Sequence, residues 1–153
     1  MTGIQPGVHY LSVLVFRVMG VRIGIDTDQI GGFVDVATVD KKKCKLVSMN
    51  ELLGIEPPER PHSKVIFAKG GYVSEPSDSV WMRREQRLGV VVSDPEEIVE
   101  IPLEVMSPLP QLIHAYTGPN GLWAIALMSD EAVFLADIRK MIGNKAGDVM
   151  WVK

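Results

Sequence analysis

The stretch Tyr10-Leu-Ser-Val-Leu-Val-Phe-Arg-Val18, followed by Met19-Gly20 and then Val21-Arg-Ile-Gly-Ile-Asp26, decides the fold. The first run is rich in β-branched residues and apolar on both faces, as a strand inside a closed barrel or sandwich would be. In the second run, apolar residues alternate with polar residues or glycine, which is typical of a strand with one buried face. Because Met19-Gly20, a turn sequence, separates the two runs, they predict a β-hairpin.

Outward from this hairpin, the chain is expected to be mostly β. Further apolar runs, each bounded by Gly, Pro, Asp or Ser, predict strands at residues 33–37, 45–47, 64–68, 88–92, 122–127 and 132–135. Residues 70–86 lack periodicity, and we expect a surface loop at 74–79.

Short helices are predicted where the end signals are complete. Residues 48–54 begin with a capping box and end at a glycine, and residues 137–143 begin with a capping Asp and end at a glycine. The sequence Asp94-Pro95-Glu96-Glu97 also predicts one helical turn, because it has a capping residue, a proline at the first helical position and acids in the first turn.

The two halves of the chain contain similar segments. Arg22-Ile-Gly-Ile25 is similar to Arg87-Leu-Gly-Val90, and residues 46–54 are similar to residues 135–143. The similar segments occur in the same order with different spacing. They indicate two related β subdomains, the second with roughly two dozen extra residues.

Composition limits the class of protein. With 153 residues, 46% of them hydrophobic, the chain is the size of one domain that buries its own core. A net charge of −3, with one run of three lysines at 41–43, argues against a nucleic-acid partner. The single cysteine, Cys44, fits a reducing compartment. The apolar stretch at 10–21 is too short to span a bilayer, so we expect a cytoplasmic protein without membrane insertion.

Several motifs, taken together, resemble one known family. In chain order they are Ile23-Gly-Ile-Asp26, Leu88-Gly-Val-Val-Val92, Glu97-Ile-Val-Glu-Ile101, Pro108-Leu-Pro110, Tyr116-Thr-Gly118, Leu122-Trp-Ala-Ile-Ala-Leu127 and Phe134-Leu-Ala-Asp-Ile-Arg-Lys-Met-Ile142. Their order and spacing over roughly residues 10–143 resemble the CheW-like domain.

This resemblance implies an all-β fold with a few short helices, built as two SH3-like five-stranded β-barrel subdomains. We expect one CheW-like domain at residues 8–146, with approximate halves 8–60 and 61–143, and a C-terminal tail at 147–153. The resemblance also implies an adaptor without catalytic residues, metal or cofactor, which bridges a chemoreceptor and a CheA-type histidine kinase.

The resemblance also implies two sets of partner-binding residues. One set follows the first strand and turn, and the other lines the groove between the barrels. They are Ile30, Phe33 and Val34 for the first set, and Val90, Val92, Ile98 and Val99 for the second. Each of them is also the kind of residue that packs in an ordinary core.

The chain departs from the family between its first strands and first helix. Only residues 37–45 fill this space, without the family's Asn-Leu-Arg-Gly-like turn or its Ile-Pro-Val-Val-Asp-like strand, and Lys41-Lys-Lys-Cys-Lys45 lies there instead. Coupling of a receptor to a kinase is therefore in question, and the alternatives are a different partner or the loss of one face of the interaction.

No pattern of catalytic or metal-binding residues is present. His9, His62 and His114 are far apart in sequence, and Cys44 has no neighbouring histidine, which leaves open only a pair assembled in space. The acidic stretch of residues 94–104 is expected to be a solvated face.

The three tryptophans are expected to have different environments. Trp123 is predicted to lie in the core, and Trp81 and Trp151 are predicted to contact a partner or a second copy of the chain.

The alternative to an adaptor is a small-ligand-binding or regulatory β-barrel domain, which would need a closed, polar-lined cavity.

Overall fold

A computed structural model describes residues 9–57, 63–76, 83–113, 121–128, 131–143, 145–147 and 149–152. Within them the chain forms the strands Tyr10–Val18 (β1), Val21–Asp26 (β2), Ile30–Asp35 (β3), Cys44–Ser48 (β4), Lys64–Pro76 (β5), Arg83–Val92 (β6), Asp94–Pro102 (β7), Met106–Pro108 (β8), Leu122–Leu127 (β9), Ala132–Ala136 (β10) and Val149–Trp151 (β11). The helices are Met49–Leu53 (α1), a segment at 111–113 (α2) and Ile138–Ile142 (α3). Single 3-10 turns lie at Thr27–Gln29, Val36–Thr38 and Leu103–Val105.

The strands form two curled sheets. The six-stranded sheet has the order β7-β1-β2-β10-β9-β8. The five-stranded sheet has the order β11-β5-β6-β4, and β3 pairs with β5. Both sheets curl like half-barrels, which confirms the predicted class of an all-β fold with short helices. One sheet has six strands where five were predicted.

The apolar side chains separate into two cores because successive residues of a strand face opposite sides. The shared core lies between the sheets and includes Phe16, Ile25, Leu88 and Ile142. The small core lies inside the curl of the six-stranded sheet. It consists of Val13, Val15, Ile101, Ala124, Ala126, Val133 and Leu135.

The predicted hairpin is present, as β1 and β2 pair antiparallel through the Met19-Gly20 turn. Both turn residues have positive φ, 51° for Met19 and 79° for Gly20. Positive φ at both central residues is the geometry of the two-residue turns whose twist matches that of the flanking strands.

Two local predictions were wrong. The Asp94 segment begins β7 instead of a helical turn, because pairing with β1 outweighs the local capping signal. Pro95 is tolerated there, since β7 is an edge strand. The stretch predicted as a loop continues as strand to Pro76 and resumes as strand at Arg83, and residues 77–82 lie outside the described part.

The short helices follow their predicted end signals. The Ser48 side chain accepts a hydrogen bond from the Asn50 backbone N–H, and Gly54 ends α1 in the left-handed region with φ 71°. Asp137 accepts from the Lys140 N–H at the start of α3. No helix in the described ranges is both long and apolar enough to cross a membrane.

The internal similarity corresponds to equivalent strand pairs. β2 pairs in parallel with β10, with Gly24 opposite Leu135, and β6 pairs in parallel with β4, with Gly89 opposite Leu46. Each similar segment therefore pairs with the segment from the other half. The sheets consequently do not follow the predicted halves 8–60 and 61–143, because β1 and β2 belong to the six-stranded sheet. The predicted C-terminal tail, residues 147–153, contains β11. The bounds of the predicted domain, residues 8–146, stay a prediction.

Candidate functional site

An apolar groove lies where the β1–β2 hairpin meets the chain after α1 and the start of β9. It has a volume of about 270 Å³ and opens to solvent. Its lining residues are all apolar: Val18, Met19, Val21, Ile23, Leu53, Ile55 and Leu122. Because these residues come from three distant parts of the sequence, the groove exists only in the folded chain.

The rim of the groove is exposed and apolar. Met19 is 75% exposed and Val21 is 44% exposed, while Val18 and Ile23 are buried beneath them. Exposed methionine and valine beside a preformed apolar hollow are suited to receive an apolar side chain of a partner.

A charged cluster holds the hairpin that carries this rim. The Arg17 guanidinium donates two hydrogen bonds to the Glu131 carboxylate, at 2.9 and 2.8 Å, and a third to the Gly20 carbonyl at 3.0 Å. The hydrogen bond from Arg17 holds the pKa of the Glu131 carboxyl below its usual range. The hairpin tip is therefore fixed against the loop before β10.

The first predicted set of partner-binding residues lies on β3, an edge strand that pairs only with β5 among the described strands. Ile30 packs against the shared core, and Val34 is half-buried. Phe33 is 40% exposed, with the Lys64 ammonium 5.9 Å from its ring centroid. Of this set, Phe33 has the most surface for a partner.

The second predicted set is divided between the surface and the core. Ile98 on β7 is 65% exposed, and Val99 packs against the small core. Val90 and Val92 on β6 expose 0% and 1% of their surface and belong to the shared core. In this fold neither of these two valines is accessible to a partner, because the six-stranded sheet covers the face of β6 that carries them.

The predictions for the tryptophans have different outcomes. Trp123 was predicted to be in the core, and this was wrong, since it is 40% exposed on β9. Trp151 is half-buried against the shared core, and the Arg139 guanidinium lies 4.7 Å from its ring centroid. Trp81 lies outside the described residues.

Cys44 is half-buried at the start of β4. Burial raises the pKa of its thiol, and the nearby Arg87 opposes this rise only in part. A raised pKa disfavours the thiolate, which is the reactive form. Within the described ranges, no group of three or more His, Cys, Asp or Glu side chains is placed to hold a metal ion. His62 and His114 lie outside those ranges.

The apolar groove was missed from the sequence. The one local signal was Met19, an apolar residue at a turn position where polar residues or glycine are usual. The residues that complete the groove, such as Ile55 and Leu122, carry no signal of their own.

Comparison with solved structures supports the fold. The structure is similar to that of the scaffolding protein CheW from Thermoanaerobacter tengcongensis, with a TM-score of 0.64. The likeness covers 93% of this chain and 100% of that one, at 13% sequence identity. No protein-family model matches the sequence, and no curated protein matches it either. The chain therefore has a CheW-like fold, as its sequence motifs predicted.

Proposed function

We propose that this chain is a non-catalytic, cytoplasmic adaptor of chemotaxis-type two-component signalling, which docks on a CheA-type histidine kinase, on a chemoreceptor, or on both. The observation that carries the proposal is the CheW-like fold, shared over nearly the whole length of both chains with a protein described as a scaffold. An adaptor needs shaped surfaces and no reacting groups.

The apolar groove is the surface that supports docking best. Protein interfaces concentrate their binding energy in a few apolar anchors that fill pockets, surrounded by side chains that exclude water. Met19 and Val21 form such an exposed rim over a buried floor. The alternative function, binding of a small ligand, would require a closed cavity with convergent polar groups. The groove is open and lined by apolar residues, so it favours a protein partner.

The exposed residues of the two predicted sets provide a second candidate surface. Phe33 lies on the edge strand β3 and Ile98 on the edge strand β7, and strand edges accept extended segments of other proteins. Ile30, Val34 and Val99 would support these two side chains from half-buried positions. We do not extend the proposal to Val90 and Val92, which are buried.

The test is capture of the tagged, full-length protein from its native cells, with identification of the chains that co-purify. We expect a histidine kinase or a chemoreceptor with the unaltered protein. The double variant Met19→Asp, Val21→Glu should lose that chain, because it places two carboxylates on an apolar rim without disturbing buried residues. Leu127→Glu is the control, since Leu127 is 65% exposed and does not line the groove.

The outcomes separate the surfaces. Loss of the partner in the double variant but not in Leu127→Glu would assign docking to the groove. Retention in the double variant and loss in Phe33→Glu or Ile98→Glu would assign it to the edge strands. Recovery of neither a kinase nor a receptor with abundant, folded protein would overturn the proposed function.

A further inference from the structure

Two arginines occupy equivalent places in the internal repeat but have different surroundings. Arg22 begins the segment that pairs with β10, and Arg87 begins the similar segment that pairs with β4. Arg22 lies 3.9 Å from the Glu131 carboxylate, just before β10. The residue at the equivalent place before β4 is Lys42. The equivalent of the acid that Arg22 meets is therefore a lysine in the half that contains Arg87.

Arg87 lies on the face of β6 opposite to the shared core. Its guanidinium lies 4.1 Å from the centroid of the buried Phe67 ring, and its Nη2 donates to the Gly31 carbonyl at 3.0 Å. A Cβ at Gly32 would lie 3.2 Å from the same Nη2. The Gly31-Gly32 pair therefore leaves the room in which the guanidinium lies. Stacking and one side-chain hydrogen bond fix the plane of the guanidinium, and its further N–H donors meet no acceptor among the described residues.

Lysines extend this positive charge. Lys41, Lys42 and Lys43 are exposed in the turn before β4, and the Lys43 carbonyl accepts the backbone N–H of Arg87. A Cβ at Gly31 would lie 3.2 Å from the Lys69 Cα, so Lys69 borders the same place. Within the described residues, none of these five cations forms a salt bridge. We call this surface of Arg87, Lys41–Lys43 and Lys69 the Arg87 face.

We propose that the Arg87 face binds an acidic segment of a partner protein. This inference rests on the proposed adaptor function and specifies the charge of the segment that the partner contributes. The whole chain carries a net charge of −3, so five clustered cations form a local excess of positive charge. One carboxylate, that of Asp40, lies in the same turn, where it accepts a hydrogen bond from the Lys42 backbone N–H. A planar guanidinium fixed by an aromatic ring is suited to bind a carboxylate through two hydrogen bonds.

An acidic peptide fits this face better than a nucleic acid does. Phe67 is buried beneath Arg87, and Tyr72, which pairs with Arg87 across β5 and β6, is half-buried, so the described part of the face offers no fully exposed ring on which a base would stack. β4 is the end strand of its sheet and pairs only with β6 among the described strands. An extended segment that runs beside the lysine turn can place its carboxylates within reach of the cations.

The test measures binding of a short fluorescent peptide, in which Glu alternates with Thr, to the purified full chain. Fluorescence anisotropy of the peptide reports the binding. We expect saturable binding at low salt that weakens as salt rises. Replacing all three lysines, Lys41→Gln, Lys42→Gln and Lys43→Gln, should weaken binding roughly tenfold, since each exposed charge contributes a modest amount. This variant changes only exposed turn residues and should fold normally.

Further variants test the arginine. Arg87→Gln should weaken binding about as much as the triple lysine variant, and Arg87→Lys should weaken it less, because it keeps the charge but loses the planar fork. Lys140→Gln, which removes an exposed lysine from α3, is the control and should leave binding unchanged.

Three results would overturn the proposal. They are no binding of the peptide at low salt, unchanged binding by the triple lysine variant, and equal or tighter binding of a single-stranded oligonucleotide with the same charge. Because this assay uses the isolated protein and a peptide, it can succeed when capture of a kinase or receptor fails, and it can fail when capture succeeds. The two proposals are thus tested separately.

Discussion

Gly24 and Gly89 occupy equivalent places in the two sheets, and their neighbours differ. The three atoms nearest to a Cβ at Gly24 belong to side chains of the small core, at 3.2 to 3.3 Å. A Cβ at Gly89 would meet Val65 at 2.6 Å and Leu46 at 3.0 Å, on the face that Arg87 covers. The same pattern of strand pairing therefore occurs with two kinds of packing. In the six-stranded sheet the face is a filled apolar core, and in the five-stranded sheet it is a thin apolar layer beneath a cation. The thin layer leaves a charged surface available for binding.

The largest expected difference is in the free energy of unfolding, for substitutions of two leucines that occupy equivalent places in the two sheets. Leu135 is buried in the small core, whereas Leu46 is half-buried. Leu135→Ala should lower the free energy of unfolding by about 3 kcal/mol, and Leu46→Ala by about 1 kcal/mol, because the cost grows with the cavity that is left. Urea unfolding of both variants measures the difference. Equal losses would show that the two faces are packed equally well.

A smaller effect is expected at the two glycines. Gly89→Ala should cost roughly 2 kcal/mol, because its methyl group would overlap Val65 and Leu46. Gly24→Ala should cost less than about 1 kcal/mol, since its neighbours need to move only a few tenths of an ångström. The same unfolding measurement applies, and a greater loss at Gly24 than at Gly89 would contradict the comparison.

The smallest effect concerns acid stability. The folded-state pKa of Glu131 is lowered, so its contribution to stability is present above the unfolded pKa and is lost as pH falls through the folded pKa. Glu131→Gln removes the carboxylate, and its stability should fall less steeply than that of the unaltered protein below about pH 4. Thermal unfolding across this pH range provides the check.

The equivalent position in the other sheet supplies the converse variant. Lys42→Glu would place a carboxylate near Arg87, and we expect it to add acid dependence where Glu131→Gln removes it. If the stability of the unaltered protein, Glu131→Gln and Lys42→Glu changed with pH in the same way, the assigned equivalence of Glu131 and Lys42 would be wrong.

Local patterns in the sequence predicted those parts of the fold that depend on neighbouring residues. Alternation predicted the β1–β2 hairpin, and capping residues such as Ser48 and Asp137 predicted both five-residue helices. The order of motifs predicted the CheW-like fold. Local patterns failed at Asp94, because a capping signal cannot show that a distant strand, β1, will pair with the segment.

The surfaces were harder to predict because they are assembled from distant segments. The groove joins Val21 to Ile55 and Leu122, and no spacing in the sequence records that they meet. The lysine run was visible, but its position beside Arg87 depends on the parallel pairing of β4 with β6. Val90 and Val92 illustrate the converse problem, because an apolar strand residue has the same pattern in a core as on a docking surface.

The parallel pairing of β2 with β10 also has a consequence for synthesis of the chain on the ribosome. β2 ends at Asp26, and its partner β10 begins only at Ala132. One edge of β2 thus emerges long before the strand that covers it, so native pairing there requires a late, long-range closure. Until then the nascent hairpin presents an unpaired apolar edge, the kind of surface that chaperones bind and that aggregates when it is left uncovered.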